Sequence, residues 1–254
     1  MLIAVDIGNT NIAIGVFRED ELKAHWRISS DRGRTSDEYA VILMNFLAMA
    51  SVVKGEIKGM IISSVVPPLT PVFQQLCRML FRFRPMIVGP GLKTGMPILY
   101  ENPHEVGADR IVAAVSAYKK YSRPLIVCDF GTATTFDAVS EKGEYMGGAI
   151  APGFKIAAEA LYLRTAKLPH VEIRKPEGII GKTTVSSIQS GIYYGYIGLV
   201  TNIIKEMKKE MEEPVIVIST GGFGEEVFND IDIIDHYEPA LVLEGLAFLF
   251  RKNA

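Results

Sequence analysis

Two stretches carry residue types that can hold a phosphate chain, and both use one local grammar. The first is Asp6-Ile7-Gly8-Asn9-Thr10-Asn11, directly after the apolar run Leu2-Ile3-Ala4-Val5. Asn9, Thr10 and Asn11 offer amide and hydroxyl donors, and Gly8 lets the backbone press close to a ligand. The Asp6 carboxylate can hold a divalent cation, directly or through its waters. The second stretch is Asp129-Phe130-Gly131-Thr132-Ala133-Thr134-Thr135, directly after Leu125-Ile126-Val127-Cys128. One copy of strand, Asp, any residue, Gly, then Asn or Thr is no more than a hairpin turn. Two copies about half a chain apart point to paired tips that grip a nucleotide.

A third stretch, Asn102 to Arg110, leads into the helical apolar run Ile111-Val112-Ala113-Ala114-Val115. Asp109 and Arg110 therefore fall in the first turns of a helix, where backbone N–H groups favour anions. A carboxylate there beside a guanidinium reads as a general base with an anion anchor. It reads equally as an Asp on its helix dipole next to a surface-paired Arg. Thr220-Gly221-Gly222 suits a flat ring lying on the backbone, or a plain tight turn. Gly89-Pro90-Gly91-Leu92-Lys93-Thr94-Gly95 has the composition of a phosphate-binding P-loop. Its spacing is wrong, and an extended Ile98-Leu99-Tyr100 follows where a helix should open, so that reading is rejected.

The elements that position these residues repeat in order. In the first half, strands run over Leu2–Val5, Ile12–Phe17 and Leu22–Ile28. A helix follows, opened by the capping box Thr35-Ser36-Asp37-Glu38. A strand at Gly59–Ser64, a helix from Leu69 to Phe83 and a short strand at Met86–Val88 complete that half. In the second half, strands end at Asp129, run through Thr135–Val139 and fill Tyr145–Ile150. Helices start at Pro152-Gly153 and near Thr184, strands are expected at Val215–Ile218 and Ile231–Ile234, and the last helix spans Ala240 to Arg251. Gly191, Gly195 and Gly198 share a face of the Thr184 helix, which permits either core packing or a subunit contact.

The bulk numbers exclude several classes. The chain has 254 residues, 48% hydrophobic and 22% charged, an ordinary globular balance. A formal net charge of -2 argues against a nucleic-acid partner held on a broad basic surface. Arg78, Arg82 and Arg84 are expected on the wet face of one helix. The two cysteines, Cys77 and Cys128, lack metal-like spacing, and Cys128 sits in a buried-strand pattern. No apolar run is long enough to span a bilayer and no leader pattern opens the chain, so a cytoplasmic protein with no membrane partner is expected.

The tandem halves resemble the actin, sugar-kinase and acetate-kinase superfamily. That likeness implies an α/β fold of two actin-like (ribonuclease H-like) halves, 1–117 and 118–254, each a mixed sheet flanked by helices. Within it the sequence is similar to type III pantothenate kinases over almost its whole length. The matching segments are DIGNTN at 6–11, GPGLKTG at 89–95, NPHEVGADR at 102–110, DFGTATTFD at 129–137, GGAIAPG at 147–153, LP at 168–169 and TGG at 220–222. The resemblance implies ATP-dependent phosphorylation of pantothenate to phosphopantothenate, the first step towards coenzyme A. By motif, Asp6, Ile7, Gly8, Asn9, Thr10, Asn11, Ile12, Ala13 and Thr132 bind ATP, with Asp6 on Mg²⁺. Tyr100, Gly107, Ala108, Asp109, Arg110 and Thr184 bind pantothenate, Asp109 is the proton acceptor and Arg110 a carboxylate anchor. Asp129 is expected on a monovalent cation, K⁺ or NH₄⁺, and Thr184 is expected to act across a homodimer. One departure is Ala113, where many members carry Asn; it removes a possible hydrogen bond near the base. The rival readings are another small-molecule kinase of the superfamily and a non-enzymatic ATP-binding regulatory protein.

Overall fold

The computed structural model describes residues 1–172, 174–212, 214–222 and 230–254. The chain divides into two compact units, Met1–Lys120 with Ala240–Ala254, and Tyr121–Pro239. Among the described residues no helix is long and apolar enough to cross a membrane.

The first unit is built on strands β1 (Leu2–Ile7), β2 (Asn11–Arg18), β3 (Glu21–Ser29), β4 (Gly59–Ser64) and β5 (Met86–Ile87), in the order β3-β2-β1-β4-β5. β1, β2 and β3 form an antiparallel meander, while β4 and β5 add in parallel. Alternation along β1 decides which residues reach which layer. Ile3, Val5 and Ile7 join a core with Tyr39, Leu43, Leu47, Phe73 and Leu76 from helices α1 (Ser36–Met49) and α2 (Leu69–Phe81). Leu2, Ala4 and Asp6 therefore face the other side of the sheet. Helix α1 starts at the expected capping box: the Thr35 N–H donates to Glu38 Oε2 at 2.8 Å, and the Glu38 N–H donates back to Thr35 Oγ1 at 3.4 Å. The Thr35 N–H, and the Thr35 hydroxyl donating to Glu38 Oε2 at 2.9 Å, hold the Glu38 carboxyl below its usual pKa. Arg78, Arg82 and Arg84 are all exposed, but only Arg78 lies on a helix: α2 ends at Phe81 rather than Phe83, Arg82 caps it in the left-handed region and Arg84 follows.

The second unit repeats the plan. Strands β6 (Leu125–Phe130), β7 (Ala133–Val139), β8 (Tyr145–Pro152), β9 (Ile216–Thr220) and β10 (His236–Tyr237) give the order β8-β7-β6-β9-β10, strand for strand the topology of the first sheet. Ile126, Cys128 and Phe130 pack with Phe154 of helix α4 (Phe154–Leu163) and with Tyr193, Tyr196 and Val200 of the long helix α5 (Thr184–Met211). Burial raises the Cys128 thiol pKa well above its ordinary value and pushes that of Cys77 to about 12, so both act as apolar filler.

Helix α3 (Ala108–Tyr121) and the last helix, α6 (Leu241–Asn253), complete the first unit. The expected cut at 117/118 thus differs from the observed division: α3 runs on to Tyr121, and α6 packs with the first half of the chain. The fit of α6 explains this. A side chain at Gly59 would strike the Phe250 ring, and one at Gly245 would strike the Val112 carbonyl, so bare backbone at both points brings the helix in close. The expected strand at Ile231–Ile234 is a turn, closed by the Ile234 N–H on the Ile231 carbonyl at 3.0 Å. Both isoleucines point into the core three residues apart, which explains the misleading apolar run. The stretch after Gly222, where the sequence reads as a turn opening a helix, lies outside the described residues.

Candidate functional site

The first tip is the β1–β2 hairpin. Its turn is closed by the Gly8 N–H on the Asn11 carbonyl at 3.0 Å. Asn9, Thr10 and Asn11 are exposed, and Ala13 is half-buried. Ile7 and Ile12 are fully buried in the core, so only their backbone can serve a ligand. Asp6 lies opposite Ala13 on β2 and Ser63 on β4, on the sheet face away from α1 and α2.

Two residues after β3 brace this tip. The Ser30 N–H donates to the Thr10 carbonyl at 2.9 Å, and the Ser30 hydroxyl donates to the Gly8 carbonyl. Arg32 donates to Asn9 Oδ1 at 3.3 Å. Neither residue stands out in the sequence, because each contact spans twenty positions or more. The third-strand register, which pairs Asn11 with Ser29, was the signal that could have found them.

The second tip is the β6–β7 hairpin, closed by the Gly131 N–H on the Ala133 carbonyl at 3.1 Å. Asp129 occupies the place in this sheet that Asp6 holds in the first, with Thr135 opposite on β7 and Thr220 on β9. Gly221 has φ +92°, and a side chain there would come 2.4 Å from Asp129 Oδ1. A side chain at Gly153 would meet the Thr132 carbonyl at 2.2 Å. The glycines of two quoted motifs therefore press bare backbone against this tip. Thr132 is exposed at its end. Behind it, the Thr134 hydroxyl bonds the Tyr196 hydroxyl in the core, where burial pushes the Tyr196 pKa up to about 12. Asp137, 1% exposed, accepts from the Tyr145 hydroxyl at 2.6 Å and from the Thr135 hydroxyl at 3.2 Å.

The third stretch opens α3 as expected. Asp109 is half-buried in the first turn, and its Oδ1 accepts the Arg110 N–H at 2.9 Å. Arg110 is 9% exposed, which rules out a loose surface pair. A side chain at Gly107 would come 2.5 Å from Asp109 Oδ1 and push that carboxylate aside. Tyr100 is half-buried in the irregular segment before the short turn Pro103–Glu105. Ala113 is buried within α3.

Asp6 to Ala13, Tyr100 and Gly107 to Arg110 belong to the first unit; Asp129, Thr132 and Thr184 belong to the second. Thr184 is exposed on the first turn of α5, beside an open cavity of about 710 Å³ lined by Leu161, Leu168, Lys182, Thr183, Ile188 and Gly191. It is not on the hairpin that carries Asp129. Side chains at Gly191, Gly195 or Gly198 would meet nothing within 4 Å among the described residues.

The comparisons with known proteins fit this geometry. The family model for type III pantothenate kinases matches residues 2–206. A type III pantothenate kinase of Moorella thermoacetica is 51% identical over 253 residues, covering 100% of each chain. Among solved structures, a Campylobacter jejuni protein assigned to the Baf family of transcriptional activators aligns with a TM-score of 0.63 at 17% identity, covering 99% of this chain and 98% of that one. A ROK family glucokinase of Streptomyces griseus aligns with a TM-score of 0.55 at 13% identity, covering 99% of each. These two likenesses speak for the shared fold, two mixed sheets flanked by helices. The chain belongs to the type III pantothenate kinase family, enzymes that phosphorylate pantothenate in coenzyme A biosynthesis.

Proposed function

We propose that Asp109 is the base that takes the proton from the primary hydroxyl of pantothenate as it attacks the γ-phosphate of ATP. The supporting observation is the start of α3, where Asp109 accepts the Arg110 N–H and its carboxylate occupies space left open by Gly107. In a loose phosphoryl-transfer transition state the protein mainly aligns the reactants and neutralises charge. Asp109 then needs only to accept the proton late, as the new O–P bond forms and the bond to ADP breaks. Arg110 anchors the pantothenate carboxylate in the same reading, with Gly107, Ala108 and Tyr100 shaping the pocket.

The ATP phosphates fall to the first tip, from Asp6 to Ala13, and Thr132 contacts the nucleotide. Among the described residues no three His, Cys, Asp or Glu side chains converge as a metal cage. A cation here would take one protein carboxylate, with phosphate and water oxygens for the rest, which suits Mg²⁺ at Asp6. Asp129, beside the hydroxyl residues Thr135 and Thr220, suits K⁺ or NH₄⁺ in the same way. Such ions supply charge neutralisation on the phosphates, and neither tip carries a lysine that would do so instead.

The reading includes a cytoplasmic homodimer in which Thr184 reaches the substrate of its partner. Thr184, Ser187, Gly191, Tyr194, Gly195 and Gly198 run along one exposed face of α5 at helical spacing. Leu163, Ile179 and Ile180 add exposed apolar surface in the same unit, at 70%, 61% and 82% exposure. A coupled ADP-release assay with pantothenate, run in potassium, ammonium and sodium-only buffers, tests the whole reading. ADP formed only with pantothenate, and poorly in sodium alone, is expected. Turnover indifferent to the monovalent ion would remove Asp129 from the cation role.

A further inference from the structure

Neither tip carries a lysine or arginine, yet a triphosphate brings more negative charge than one divalent ion offsets. The segment between β3 and α1 holds a guanidinium at the first tip. Its backbone is fixed at several points. Ser30 bonds the tip at Gly8 and Thr10. The Asp31 N–H donates to the Tyr39 hydroxyl at 3.1 Å, and that hydroxyl donates to the Asp31 carbonyl at 2.9 Å, with Tyr39 only 1% exposed. The Gly33 N–H donates to Asp31 Oδ1 at 2.9 Å. Thr35 then caps α1.

The two arginines on this scaffold differ. Arg34 is committed: its Nε lies 3.4 Å from Asp31 Oδ2, and its guanidinium sits 6.0 Å from the centre of the Tyr39 ring. Arg32 is exposed, and among the described residues its bond to Asn9 Oδ1 is its sole hydrogen bond and no carboxylate pairs with it. A guanidinium has five N–H donors in a planar fork that matches phosphate oxygens. One bond to Asn9 fixes where the group sits and leaves most of the fork for a ligand.

We propose that Arg32 binds the phosphate chain of the nucleotide at the first tip, as the cationic residue that the Asp-Gly-Asn-Thr turn itself lacks. This rests on the reading of that turn as the ATP phosphate site. Asn9 has a double task, presenting the turn to the phosphates and aiming Arg32 at them.

The experiment measures affinities of adenosine, ADP and a non-hydrolysable ATP analogue, each with Mg²⁺, for the wild type and for Arg32→Ala, Arg32→Gln and Arg32→Lys. A charge-assisted phosphate contact corresponds to about a tenfold change or more in affinity. Arg32→Ala should weaken the triphosphate analogue by about that factor and leave adenosine unchanged. Arg32→Gln keeps a donor for Asn9 without the charge and should show the same loss, while Arg32→Lys recovers part of it. An unchanged triphosphate affinity in Arg32→Ala overturns the proposal. So does an equal loss for adenosine, or full recovery by Gln, since either makes Arg32 a brace for Asn9 only. A wild type that gains nothing from phosphates would sink the ATP reading of the tip, and Arg32 with it; a wild type that gains, beside a variant that gains equally, sinks Arg32 alone.

Discussion

Asp109 and Arg110 are adjacent in sequence yet sit in different surroundings. The Asp109 carboxylate is half-buried and tied to a backbone N–H, a setting that orients it before substrate arrives. The neighbouring guanidinium is buried, where a charge is retained only with partners or for a ligand. Asp109→Asn keeps the shape and removes the base. Turnover should fall by roughly 10²–10⁴. Nucleotide affinity, measured by calorimetry, should stay within a factor of about two, because the tip from Asp6 to Ala13 is a separate hairpin. A variant that retains most of the wild-type rate would force the proton onto another group. Arg110 needs the opposite control: Arg110→Lys keeps the charge but loses the planar fork, so the KM for pantothenate should rise more than kcat falls.

At the level of elements, both tips depend on backbone approaching them from a distant segment. Gly221 makes the sharper case, since φ +92° and 2.4 Å to Asp129 Oδ1 both forbid a Cβ. Gly221→Ala should cost more than about 1 kcal/mol and lower Tm by a few degrees. Gly178→Ala, where a side chain meets nothing within 4 Å and the backbone is unstrained, is the matched control. If the two variants melt alike, the approach of Gly221 to Asp129 contributes nothing to stability. The start of α1 gives a pH signature. Glu38 has a lowered pKa, so its stabilising bonds are intact above the unfolded carboxylate value of about 4.3 and are lost as pH falls through the lower folded value. In thermal melts, wild type should exceed Glu38→Ala at pH about 6, and the gap should close towards pH about 3. A gap constant with pH would mean that the carboxylate charge plays no part in the cap. These elements also show what the sequence could reveal. The two Asp-Gly tips and the Thr35 capping box are local patterns, legible because neighbours in sequence make the bonds. Ser30 and Arg32 were not legible, because their partners lie across the sheet. Nor was the place of α6, whose amphipathic pattern fits either unit until Gly59 and Gly245 are seen beneath it. At Ile231 and Ile234 the apolar pattern was real, but a turn satisfied it as well as a strand.

For the whole molecule, the open question is whether one chain holds a complete site. Thr184 lies at the exposed start of α5, on a face where side chains at the glycines would meet nothing within 4 Å among the described residues. A second copy using the same face would meet it by two-fold symmetry. Each site would then take Asp109 from one chain and Thr184 from the other. Thr184→Arg and Asp109→Asn, each made alone, should give dimers with little or no activity. Co-expressed, they form mixed dimers in which one site carries both defects and the other neither. With random pairing, about half the dimers are mixed and half of their sites are intact, so roughly a quarter of the wild-type activity should return. A site built within a single chain cannot be rescued this way, because every site keeps one defect. The mixture must be shown to contain mixed dimers, for example by tagging the two chains differently and purifying on both tags, which should double the recovered activity per site to about half. Doubly tagged dimers as inactive as their parents would return Thr184 to its own chain and leave the glycine face of α5 without a catalytic purpose.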